Sequence, residues 1–70
     1  MVRRVHVIIN GDPQEFDSEL TISGLLTHLT LHTRRVAVEV NHVIIAREQY
    51  AAHVLADGDQ IEIVHFVGGG

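Results

Sequence analysis

The part of this 70-residue chain best suited to covalent chemistry is its end. Gly68, Gly69 and Gly70 close the sequence, and without side chains they can thread a narrow channel in extended form and present an unhindered carboxylate at Gly70. Such a tail reaches roughly 10 Å, at about 3.3 Å per residue. A carboxylate is a poor acyl donor until one of its oxygens becomes a good leaving group. Transfer of an adenylyl group from ATP would supply that and open the acyl carbon to a sulfur nucleophile, leaving a terminal thiocarboxylate. Glycine tracts also occur as linkers and frayed ends. Here a strand-like apolar segment delivers Val67 directly to the glycines with no polar linker between, which favours the chemical reading.

Other residues also have chemical potential. His28 and His32, at i,i+4 spacing, could share a helix face as a metal-ligand pair, but the spacing supplies no third ligand and a closed site needs four, so no metal is expected. Asp57 and Asp59 flank Gly58, where a turn is sufficient reason for both, and no acid–base partner is near in sequence. Arg47 and Glu48 fall in an aperiodic stretch of the kind that carries partner contacts. The absence of cysteine removes disulfides, thiolate metal sites and a thiol nucleophile together.

These residues must be positioned by a small frame. Val5, Val7 and Ile9 alternate with Arg4, His6 and Ile8, predicting a strand over 3–9; Asn10-Gly11 then reverses the chain into a return strand over 14–17. Thr21 is a candidate N-cap for a helix over 22–31, with Ile22, Leu25, Leu26 and Leu29 as its apolar stripe and Gly24 as a weak point of about 1 kcal/mol relative to alanine. Val36, Val38 and Val40 form a third strand that reverses at Asn41-His42 into Val43-Ile44-Ile45. Residues 47–54 are expected to form a loop with a helical turn. Asp57-Gly58-Asp59 turns into a last strand over 60–67, where burial of Ile61 and Ile63 would send Val64 and Phe66 to the opposite face as a docking surface beside the tail. The expected architecture is α+β: a mixed four- to five-strand sheet with one helix packed across it, burying every apolar stripe.

Composition narrows the function. Charges interrupt every apolar run well before the roughly 18 residues a membrane span needs, and the N-terminal stretch lacks the long apolar segment of a signal peptide, so a soluble cytoplasmic protein is expected. Nine acidic against five basic residues give a formal charge of -4, which disfavours binding nucleic acid through its phosphates and suits basic partners.

The element order, the Val40-Asn41-His42 turn, Ala46-Arg47-Glu48-Gln49-Tyr50, Asp57-Gly58-Asp59-Gln60-Ile61-Glu62-Ile63-Val64 and the ending His65-Phe66-Val67-Gly68-Gly69-Gly70 resemble the ThiS family of thiamine-biosynthesis sulfur carriers, within the ubiquitin-like β-grasp superfamily. The resemblance covers essentially the whole chain and is most specific in the final segment. It implies a β-grasp domain over 1–67 with a flexible glycine tail over 68–70. It also implies a cycle in which a ubiquitin-activating-type (ThiF-like) enzyme adenylates Gly70 with ATP, a cysteine-derived persulfide supplies sulfur, and a ThiG-like thiazole synthase takes it. Gly69 and Gly70 match the family's functional glycine pair. The chain would then be a co-substrate with no bound cofactor, with Arg47, Val64, Phe66 and Val67 as candidate partner contacts. Tyr50 stands where tryptophan also occurs, and Ala46 where many members have proline; neither touches the chemistry. A molybdopterin-synthase small-subunit-type carrier would use the same tail with a different partner; a ubiquitin-like modifier would join the activated glycine to a lysine amine, and in an interaction domain the tail would have no chemistry.

Overall fold

The computed structural model describes residues 4–66. Its strands are β1 (Val5–Ile9), β2 (Asp12–Phe16), β3 (Val36–Val40), β4 (Val43–Ile44) and β5 (Gln60–His65), with one helix, α1 (Ile22–His28), and short 3₁₀ turns at Thr33–Arg35 and Arg47–Gln49. The strands form one five-stranded mixed sheet in the order β2-β1-β5-β3-β4. β5 is central, parallel to β1 through Ile8–Gln60 and Ile9–Ile61 and antiparallel to β3 from Val36–His65 to Val40–Ile61.

The alternation read from sequence sorts the two faces. Val5, Val7, Ile9, Val36, Val38, Val40, Ile61 and Ile63 are buried with Ile22, Leu25 and Leu26 of α1. The residues at both hairpin reversals take left-handed backbone angles: Asn10 (φ 49), Gly11 (φ 81), Asn41 (φ 52) and His42 (φ 70). Such angles suit the twist of two-residue hairpins.

The first three amides of α1 each have an acceptor. Ile22 N donates to His53 O at 3.0 Å, Ser23 N to Tyr50 O at 3.0 Å and Gly24 N to the Thr21 hydroxyl at 3.0 Å. The aperiodic 47–55 stretch is thus sewn to the helix start, and it contributes Tyr50 and Leu55 to the core.

Several expectations require correction. The helix stops at His28 rather than Leu31, because Thr30 turns left-handed (φ 60) and Leu31 N reaches back to Leu26 O at 2.8 Å, closing the end as a Schellman-type cap. His28 and His32 therefore do not share a helix face. His28 stacks edge-on against Phe16 with ring centroids 5.0 Å apart, and among the described residues no His, Asp, Glu or Cys set could hold a metal ion. Nor is every apolar stripe buried: Val43 and Ile44 lie on the two-residue edge strand β4 and stay exposed. The β-strand boundaries also shift, with the return strand starting at Asp12 and β5 ending at His65. Arg3 and Val67, expected as strand ends, lie outside the described residues.

Candidate functional site

Gly68, Gly69, Gly70 and Val67 lie outside the described residues, so the site is defined by the strand that leads to them. The last residues of β5 are held on the β3 side: His65 stands opposite Val36, and Phe66 N donates to Arg35 O at 2.8 Å. On the β1 side the ladder ends early, at Ile9–Ile61. A side chain continues it. Asn10, whose backbone N donates to Ile61 O at 2.8 Å, accepts from Ile63 N through Oδ1 at 2.8 Å and donates through Nδ2 to Ile63 O at 3.2 Å. The Asn10 amide thus mimics one more peptide of β1 and secures the strand three residues before Phe66.

The start of β5 is fixed similarly. Asn41 N donates to Gln60 O at 2.7 Å, its Oδ1 accepts from Gln60 N at 2.9 Å, and its Nδ2 donates to Asp59 Oδ1 at 3.0 Å. Asp59 also accepts Ala56 N at 2.8 Å, closing the turn. Asp57 accepts the backbone N–H of His6 at 2.7 Å and faces the His6 ring at 3.1 Å. The first of these contacts, then the second, holds the Asp57 carboxyl below its ordinary value. The other His6 ring nitrogen lies 3.1 Å from Glu15, which also faces Arg4 at 3.6 Å. Both aspartates are therefore turn anchors, as their flanking of Gly58 suggested. By sequence Asn10 and Asn41 are turn residues; their clamping of β5 depends on partners more than fifteen residues away and has no local signal.

Of the proposed partner contacts, Val64 and Phe66 are 54% and 50% exposed, on the face opposite buried Ile61 and Ile63. Arg47 is exposed at the start of the second 3₁₀ turn. β4 runs parallel to β5, since both are antiparallel to β3, so the chain leaves β4 toward Arg47 at the end of the sheet where Phe66 emerges. A shallow depression of about 340 Å³ lined by His6, Ile8, Pro13, Glu15 and Gly58 lies near the start of β5, remote from the tail root. What the arrangement does is hold β5 on both sides close to Phe66, the residue from which the chain continues toward the glycines.

The ThiS family model matches residues 7–70. The chain belongs to the ThiS family. It is 52% identical over 63 residues to the sulfur carrier protein ThiS of Bacillus subtilis, covering 89% of this chain and 96% of that one. It is 45% identical over 62 residues to a thiazole synthase of Magnetococcus marinus, covering 89% of this chain but 19% of that protein. The chain spans about a fifth of the length of the thiazole synthases it matches. Among solved structures, the crystal structure of the thiamine biosynthesis protein ThiS from Geobacter metallireducens superposes with a TM-score of 0.80 at 33% identity, covering 94% of this chain and 100% of that one. This ThiS-family chain therefore has the β-grasp architecture of its relatives, with five strands where four or five were expected.

Proposed function

We propose that the chain is the sulfur carrier for thiamine thiazole formation, a protein co-substrate that is consumed and regenerated rather than a catalyst. The observation that carries this reading is the 52% identity to Bacillus subtilis ThiS over nearly the full length of both chains. The matched thiazole synthases, which contain a stretch similar to this chain, favour a thiazole synthase as the sulfur acceptor over a molybdopterin-type partner.

In the proposed cycle a carboxylate oxygen of Gly70 attacks the α-phosphorus of ATP on an activating enzyme, and pyrophosphate leaves. The terminal sulfur of a cysteine-derived persulfide then attacks the acyl carbon and AMP leaves. A thiol cleaves the remaining sulfur–sulfur bond, releasing the thiocarboxylate and a disulfide. The chain has no cysteine, so the sulfur nucleophile belongs to a partner. The tail over 68–70 acts as a flexible extension of a domain over 1–67, and Val64, Phe66, Val67 and Arg47 contact the partners. No helix among the described residues is long and apolar enough to cross a membrane, and a cytoplasmic location is proposed with the function.

The test is the intact mass of the protein after incubation with ATP, cysteine and extract of its host. The expected result is an ATP-dependent gain of roughly 16 Da, one oxygen replaced by sulfur, on the fragment containing Gly70. Deletion of Gly70 should abolish the gain. An unmodified terminus under conditions that activate another carrier would overturn the proposal, and stable higher-mass conjugates would favour a modifier instead.

A further inference from the structure

The sheet face turned away from α1 carries two carboxylates in an unfavourable position. Glu39 of β3 stands directly opposite Glu62 of β5, and the buried neighbours Val38, Val40, Ile61 and Ile63 put both glutamates on the open face. Directly opposed residues of an antiparallel pair have Cβ atoms about 4.5–5.5 Å apart, where like charges repel. Among the described residues neither carboxylate has a hydrogen bond or an ion pair.

The surroundings of this pair are apolar and then basic. Ile44, 75% exposed, stands opposite Glu39 on β4, and the next same-face pair toward the tail is Ala37 and Val64, followed by Phe66. Beyond it the sign reverses. Arg34 and Arg35 lie exposed in the 3₁₀ turn whose Arg35 carbonyl holds Phe66 N, with no ion pair among the described residues. From tail root to mid-sheet the surface therefore reads basic, apolar, acidic, in a chain whose formal charge is -4.

We propose that Glu39 and Glu62 are specificity contacts for the activating enzyme that takes up the glycine tail, meeting an arginine or lysine on it while Arg34 and Arg35 meet acidic groups around its tail channel. This rests on the function proposed above. An enzyme that swallows a tail of roughly 10 Å must abut Phe66 and Val64. A standard footprint of about 800 Å² per partner spans roughly 30 Å, whereas the glutamate pair lies only about 7 Å, two residues of strand, beyond Val64. The pair is thus covered on docking. Two carboxylates covered without a cation would lose hydration for nothing and block association. A guanidinium, with a fork of donors, fits two carboxylates at this spacing and removes their mutual repulsion.

The experiment compares wild type with the E39Q/E62Q double variant in the ATP-dependent mass assay with host extract, at varied carrier and salt concentration, alongside thermal unfolding. Removing the repulsion should raise Tm by roughly 1–5 °C. Tail modification at limiting carrier should fall at least tenfold through a raised apparent KM, with the salt dependence weakened and the rate restored at saturating carrier. Modification at the wild-type KM and salt dependence would overturn the inference. So would a fall in Tm accompanying the loss, which would assign the pair a structural role. Failure of wild type itself to be modified would remove the function reading and this inference together, whereas a modified wild type with an equally modified variant removes the inference alone.

Discussion

Replacing Asn10 should cost more than a turn residue ordinarily does, because its side chain carries part of the β1–β5 ladder. The two hydrogen bonds to Ile63, at 2.8 and 3.2 Å, are part-buried, and at about 0.5–1.5 kcal/mol net for each the Asn10→Gly variant should lose roughly 1–3 kcal/mol. Glycine tolerates the φ of 49 at this position; alanine does not, and a left-handed alanine adds about 1 kcal/mol, placing Asn10→Ala near 2–4 kcal/mol. A domain of this size has roughly 4–10 kcal/mol in total, so both variants should stay folded enough to measure, Asn10→Ala with the smaller margin. Urea unfolding gives both values. Amide hydrogen exchange at Ile63 locates the loss, since the clamp predicts faster exchange there in the glycine variant. A glycine variant within about 0.3 kcal/mol of wild type, with Ile63 protection unchanged, would refute the reasoning, because the strain term is absent from that comparison.

Three further outcomes are expected. Thr30→Gly should stabilise the protein by about 0.5–1.5 kcal/mol in urea unfolding, because a β-branched residue now holds φ 60 in the helix cap. Asp57 has a folded pKa held below its unfolded one, so its contribution is present above the ordinary carboxylate value and is lost as pH falls through the folded value; Asp57→Asn should flatten that acid limb in unfolding curves taken from pH 7 down to pH 2. Phe66→Ala should leave stability nearly unchanged, as the ring is half exposed, yet weaken binding to the proposed partners, an activating enzyme or a thiazole synthase, by roughly 1–3 kcal/mol in a titration.

Much of the frame was legible because its signals are local. Valine alternation in β1 and β3 and isoleucine alternation in β5 each place one face against α1, and Asn10-Gly11 and Asn41-His42 announce left-handed turns whatever the rest of the chain does. The same alternation correctly put Val64 and Phe66 on the open face. What stayed hidden depends on tertiary partners. Tyr50 and Leu55 have no periodic context, and only their hydrogen-bonded neighbours at the start of α1 draw them into the core. The helix end has no sequence signal because a threonine, rather than the usual glycine, occupies its left-handed cap. Ile44 reads as core by composition and is exposed because β4 is a two-residue edge. The Glu39–Glu62 pair requires the register between strands about twenty residues apart in sequence, which no spacing rule supplies.

The central position of β5 also decides how the molecule bears force. A partner that draws the glycine tail into a channel pulls along the axis of this strand, and neighbours on both sides, β1 and β3, oppose its sliding. Bonds loaded in shear share the strain and must yield together, whereas a strand at the edge of a sheet could be peeled away one bond at a time. Under the proposed function, the domain could therefore be tugged, docked and released repeatedly through the residues beyond Phe66 without the pull unravelling it.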